Sequence, residues 1–280
     1  MKNIVRLTFR EIINKKILHI GIILTLIYLI FYGVGLHYLV KNAPAGGGMQ
    51  ALFMQEVGFE LLTFGLFISS FLTGTLAIML GVGSISHEVE SGTVLFLASK
   101  PIKRSSIIMG KFGVYAFSTA LHAGVLAGAV MALSIYFFRL SVSWAGVTLG
   151  VLIFMLIPVC LLAPVFLGST LMSSMANGVS MFVLYSLAII GGMMEQIGAI
   201  IHKTGLVNMG IISSLILPVD ALFRLTVSKI SDFMEIGIMS QLGPFGTVSV
   251  PSTAMLFYTL IYIMVLLVLT VYFFNNKDLS

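Results

Sequence analysis

The chain has 280 residues, of which 59% are hydrophobic and 9% charged, with a mean hydropathy of +1.11. Soluble domains carry about 25% charged residues, and no water-facing globule could bury this much apolar surface, so a soluble fold is excluded. The net charge of +5 collects at the ends of apolar runs, which makes it a topology signal and not a nucleic-acid footprint, and the single Cys160 excludes an intrachain disulfide.

In chain order, Val5, Phe9, Ile12 and Ile13 recur at helical spacing, with Lys2, Arg6 and Arg10 on another face and Glu11 four residues before Lys15. This predicts an amphipathic helix over 1–16, lying along the inner headgroup surface. The run from Ile17 to Val40 comes next. It is too long for the apolar core of a signal peptide, so an uncleaved first span is expected, although Ala43-Pro-Ala45 imitates a cleavage site. Gly46-Gly-Gly48 reads as an outer-loop hinge. A span needs about 20 apolar residues, and Leu61 to Ser86 and Phe112 to Phe138 supply the second and third. From Leu140 to Met194 there is no formal charge. Ser173-Ser-Met-Ala-Asn-Gly178 is its turn-like break, giving spans near Val147 to Met172 and Val179 to Ile201. The sixth runs from about Ser252 to Phe274.

With both termini inside, ten basic residues fall on cytoplasmic segments and five outside: Lys41, Arg139, Lys203, Arg224 and Lys229. The expected architecture is an all-α integral membrane protein of the plasma membrane. It comprises a single domain over 1–280, with six transmembrane helices, an interfacial N-terminal helix and both termini cytoplasmic.

Two connecting segments carry information. The cytoplasmic loop 87–105 opens with Glu88 and Glu90, where carboxylates favour a helix start. It continues through Val94, Leu95, Phe96 and Leu97, ends the helix at Pro101, and returns to the headgroups with Lys103 and Arg104. An acidic start and an apolar middle projecting into the cytoplasm suit docking of a soluble partner. The extracytoplasmic segment 202–251 is long for a connector. Within it Val219, Leu222, Phe223, Val227, Ile230 and Phe233 form one stripe, while Asp220, Arg224, Asp232 and Glu235 lie away from it. This predicts an amphipathic helix on the outer face, either a structural lid or a gate and extracytoplasmic partner contact, with Asp220, Phe223 and Arg224 as its candidate residues.

Two ionisable residues fall at membrane depth, His122 in the third span and Glu195 near the outer end of the fifth. Such groups are costly in lipid and face protein or water. Glu195, beside Gly191 and Gly192, is expected to face a translocation path or a dimer seam; His122 suits a path or a hydrogen-bonded packing role. No spacing of ligands for a metal is present, and the scattered Met residues read as adaptable packing.

Glu88-x-Glu90-x-Gly92-Thr93, then Leu97-x-Ser99-x-Pro101-Ile102-x-Arg104, with Gly110-Lys111 opening the next span, resembles the second-to-third-span loop of ATP-binding-cassette type-2 permeases. The amphipathic N-terminus, the span count and the length are similar to that family too. The resemblance implies that the loop and the N-terminal helix, with Arg6 and Arg10, couple to a separate cytoplasmic ATPase in two copies, which carries ATP and Mg, and that two permease chains pair. Leu217-Pro218 followed by Asp220-Ala-Leu-Phe-Arg224 also resembles the outer segment of permeases associated with copper-enzyme maturation, such as that of nitrous-oxide reductase. A phosphate loop would read G-x-x-x-x-G-K-[ST]. Here Ser105 stands at the first glycine position and Phe112 follows Lys111, so hydrolysis is expected on the partner, and this chain is expected to be a permease subunit without enzymatic activity or cofactor of its own. The alternatives are a redox-enzyme anchor, which needs deep histidine pairs, and a secondary transporter, which usually shows internal repeats.

Overall fold

The computed structural model describes residues 2–43, 47–86, 104–231 and 248–276. Helix accounts for 89% of them and no strand occurs among them. The helices are α1 (Lys2–Asn14), α2 (Lys16–Lys41), α3 (Gly47–Gly81), α4 (Arg104–Phe138), α5 (Trp144–Leu171), α6 (Ser174–Ile200), α7 (Thr204–Ile216), α8 (Val219–Ser231) and α9 (Ala254–Asn275). Six are long and apolar enough to cross a bilayer: α2, α3 from Met54, α4 from Ser105, α5, α6 and α9. The chain is an all-α multi-pass membrane protein.

Three boundaries differ from expectation. Gly47 and Gly48 belong to α3 instead of forming a hinge, because a glycine costs an established helix only about 1 kcal/mol. α4 starts at Arg104, well before Phe112, so its first turns precede the apolar run. The break near 173–178 narrows to the extended residues Met172 and Ser173, and Asn177 and Gly178 are helical.

α5 is the central helix. It packs against α3, α4, α8 and α9, and Phe154, Ile157, Leu161, Leu162 and Phe166 are wholly buried along it. Lipid tails are as apolar as leucine, so this packing rests on close van der Waals contact and interhelical hydrogen bonds. Pro158 and Pro164 lie inside α5, where neighbouring helices and side chains can satisfy freed backbone groups. α2 is peripheral, with only Thr25 and Leu36 buried.

The segment after α6 departs most from expectation. α7 returns alongside α6, and α8 then turns away at 104° across Leu217 and Pro218. Pro218 causes the break: it has no N–H to continue the helix, and it drives Leu217 into an extended conformation (φ −143°, ψ 100°). The pair forms a broken span or a re-entrant hairpin. α8 is buried on nearly all sides, packed against α5 and, through Asp220 and Arg224, against α6, with Phe223 meeting Phe67 of α3. The expected amphipathic helix on the outer surface is therefore replaced by an enclosed one. Hydrophobic periodicity records which residues are polar and not whether another helix covers them. Phe233, Asp232 and Glu235 lie outside the described residues.

Candidate functional site

Toward the end of the bundle that the basic-residue bias assigns to the outside, three charged residues meet. Arg224 on α8 grips Glu195 on α6 through two hydrogen bonds, Nη1 to Oε1 at 2.6 Å and Nη2 to Oε2 at 2.7 Å. One turn back, Asp220 Oδ2 accepts from Arg224 Nε at 2.9 Å. Nη1 also donates to the Ser249 carbonyl at 2.8 Å, and Nη2 to Ser214 Oγ at 3.4 Å. All five guanidinium N–H groups are thus engaged. Ser249 Oγ donates to Glu195 Oε1 at 2.6 Å, and Gln196 Oε1 accepts from the backbone N–H of Val248 and Ser249. All three charged residues are buried.

The helix spacing that permits this comes from glycine at two contacts. A Cβ on Gly210 of α7 would lie 2.6 Å from the Gly191 carbonyl oxygen, and one on Gly192 would overlap the Asp220 carboxylate. Small residues here let α7 and α8 approach α6. The formal count is two carboxylates to one guanidinium. Such a cluster is stable only while the cation stays in place.

Glu195 therefore ends on Arg224 inside its own chain. Phe223 is buried beside it in sequence, its ring edge-on to Phe67 with centroids 5.7 Å apart. His122 belongs elsewhere. The Thr25 hydroxyl donates to the Gly21 carbonyl at 2.8 Å, so His122 Nε2, 2.9 Å from Thr25 Oγ1, is the donor of that pair. The ring ties α4 to α2.

At the opposite end, a second network surrounds the residues that flank the segment 87–103. Lys111 on α4 is buried, and its Nζ donates to the Ser84 carbonyl at 2.9 Å, just beyond α3. It stands 4.0 Å from Glu11 Oε2 on α1. Glu11 Oε1 pairs with Lys15 at 3.1 Å and accepts from Tyr115 Oη at 3.1 Å. Burial pushes the half-buried Glu11 carboxyl up, but Lys111 and Lys15, with hydrogen bonds from Lys15 and Tyr115, outweigh it and hold the group below its ordinary value. Ser86 Oγ lies 2.7 Å from Ser174 Oγ at the start of α6, and Asn177 Nδ2 donates to the Val165 carbonyl at 3.0 Å.

Of the loop residues singled out by sequence, Glu88, Glu90, Gly92, Thr93, Leu97 and Pro101 lie outside the described residues, and Arg104 is the first residue of α4. Arg6 and Arg10 are exposed on α1. Sequence reasoning placed Glu11 four residues before Lys15, the pair the structure forms, but missed Ser249, Gln196 and the role of Lys111. A charge-balance argument could have joined Glu195 to Arg224, since a deep carboxylate needs a cation and few basic residues follow it. Among the described residues no group of His, Cys, Asp and Glu could hold a metal ion.

Comparison with curated proteins finds no match. The family model described as ABC-2 family transporter protein matches residues 2–279. That match takes in both networks and every helix between them, and the chain belongs to the ABC-2 transporter family as a multi-pass membrane permease component.

Proposed function

We propose that the chain forms the translocation path of an ATP-driven exporter in the plasma membrane, as one of two permease chains working with two copies of a cytoplasmic ATPase. The observation that carries this reading is the family match over residues 2–279, in a sequence that lacks a phosphate-binding loop of its own. Glu88 and Glu90, with Gly92, Thr93, Leu97, Pro101 and Arg104, form the docking element. ATP and Mg belong to the partner.

The inner network supports a lever. A push on the loop reaches α4 and α1 through Lys111, and α6 through the Ser86–Ser174 contact. At the far end of α6, Arg224 holds Glu195 and Asp220 together as the outer gate. Removing one partner from a buried ion pair costs about 3–5 kcal/mol. Opening therefore carries α6, α7 and α8 together or admits water to the cluster; Glu195 lines the path only in that hydrated state. An extracytoplasmic partner, where present, meets this end.

Replacing Glu88 and Glu90 together by Lys reverses the charge that meets the ATPase. The expected outcome is normal membrane insertion with ATP hydrolysis uncoupled from transport. Normal coupled activity in the double variant would remove the loop from this role.

A further inference from the structure

The α6–α7 hairpin carries a groove that the outer cluster does not use. It has a volume of about 270 Å³ and lies between Leu187, Ile190 and Met194 of α6 and Met209, Ile212 and Ile216 of α7. All of these except Met194 are exposed, so the groove is open along its side. Its one polar side chain is Ser213, and that hydroxyl donates inward to the Leu187 carbonyl at 3.3 Å. The groove therefore offers hydrocarbon alone, and a polar group seated along it would lose its hydrogen bonds to water.

Length and depth narrow the occupant. α6 has 27 residues, with Leu187 at its midpoint. The lining on α6 runs from Leu184 to Met194, a rise of about 15 Å, from the middle of the helix toward the end that the basic-residue bias assigns to the outside. A hydrocarbon core is about 30 Å thick, so the groove has the depth of one leaflet. Ile197 and Ile201 continue the same face and are exposed, and the hairpin turn follows with exposed His202 and Lys203. The turn is pinned, because the Lys203 N–H donates to the Gly198 carbonyl at 2.8 Å. Among the described residues no carboxylate pairs with Lys203, and the acids nearest in sequence, Glu195 and Asp220, are bound to Arg224.

We propose that this groove holds an acyl chain of an anionic phospholipid from the outer leaflet, with Lys203 at its phosphate. A lysine above an apolar face reaches the headgroup level while its stem stays on hydrocarbon. A helix of a second chain, about 10–12 Å across, is too wide for a slot of this volume, whereas a single extended chain enters it from the side. Gly191 lines the groove, and its carbonyl faces Gly210 of α7, with Glu195 one turn further on. The lipid chain thus presses α7 onto the helix that holds the outer cluster. This inference rests on the membrane assignment and not on the ATPase partnership, and the two fail separately.

The test is native mass spectrometry of the purified full chain in mild detergent, titrated with phosphatidylglycerol or phosphatidylcholine. One phosphatidylglycerol per chain should be retained about fivefold more tightly than phosphatidylcholine, the contribution of one basic residue near a phosphate. Lys203→Gln should abolish the preference and Lys203→Arg should keep it, which separates loss of charge from loss of fold. Ile212→Trp fills the groove from an exposed position and should lower the retention of both lipids severalfold. Equal retention of the two lipids by the natural chain, a preference that survives Lys203→Gln, or retention untouched by Ile212→Trp would overturn the proposal. So would lipid-independent cross-linking of two chains through Met209→Cys in a Cys160→Ala background, which would put a second copy in the groove.

Discussion

Lys111 Nζ donates to the carbonyl of Ser84, 2.9 Å away, although the whole cytoplasmic loop separates them in sequence. The bond joins the end of the second span to the start of the third and places a buried cation 4.0 Å from Glu11 on the interfacial helix. A lysine is rarely buried without such partners. Its position makes the loop stem and α1 one mechanical unit.

Lys111→Met keeps most of the apolar stem and removes the charge. It leaves the Ser84 carbonyl without this donor and weakens the hold on Glu11, a loss of about 1–3 kcal/mol for the buried acceptor alone. The chain should still insert and assemble. Transport-coupled ATP hydrolysis should fall severalfold, measured in proteoliposomes with the ATPase. Wild-type coupling in this variant would separate the clamp from the transmission of force.

Charge counting at the outer cluster predicts an asymmetry. Glu195→Gln leaves one carboxylate, Asp220, for one guanidinium, and the amide oxygen still accepts from Arg224. Arg224→Gln leaves two buried carboxylates with no cation, at a cost of about 3–5 kcal/mol. Thermal stability in detergent should therefore drop far more in Arg224→Gln than in Glu195→Gln, and the double variant should recover part of the loss. Equal destabilisation by the two single changes would be incompatible with the geometry of the cluster.

The seat of α1 should depend on acid. The Glu11 carboxyl lies below its ordinary value of 4.5 in the folded chain. A depressed carboxylate contributes stability that is full above its unfolded value and disappears as the pH falls through the lower folded value. A nitroxide at Asn14→Cys, in a Cys160→Ala background, should report an immobile α1 at neutral pH that loosens only below about pH 4.5. Glu11→Gln should be loosened at neutral pH and show no such transition. An acid transition that persists in Glu11→Gln would assign the effect to another group.

The spans were legible because each is an apolar run of bilayer length, and six such runs give six crossing helices. The hairpin was not. Val219, Leu222 and Val227 do form a stripe, but Asp220 and Arg224 opposite it are covered by α6, and a single sequence carries no sign of which helix will cover a polar face. Pro218 causes the break, which the sequence reading did not place. Glu195 was visible as a charge at depth, whereas its partner lies 29 positions away and only a charge-balance argument points to it. Ser249 contributes through its backbone and hydroxyl groups and Gln196 through its side-chain amide, and neither leaves a charge pattern. At the inner end, Gly110-Lys111 was conspicuous through resemblance, yet the bond from Lys111 to a backbone carbonyl has no side-chain signature at Ser84.

The proposed function stands or falls on whether this permease is driven by ATP hydrolysed on another polypeptide. The decisive quantity is vanadate-sensitive ATP hydrolysis by the tagged chain, purified from its native membrane in mild detergent, before and after the co-purifying proteins are stripped off. Hydrolysis is expected in the complex, carried by a co-purifying protein with a phosphate-binding loop, and none in the stripped chain. Hydrolysis that stays with the stripped chain, or transport by the chain alone in proteoliposomes without ATP, would refute an ATPase-driven permease.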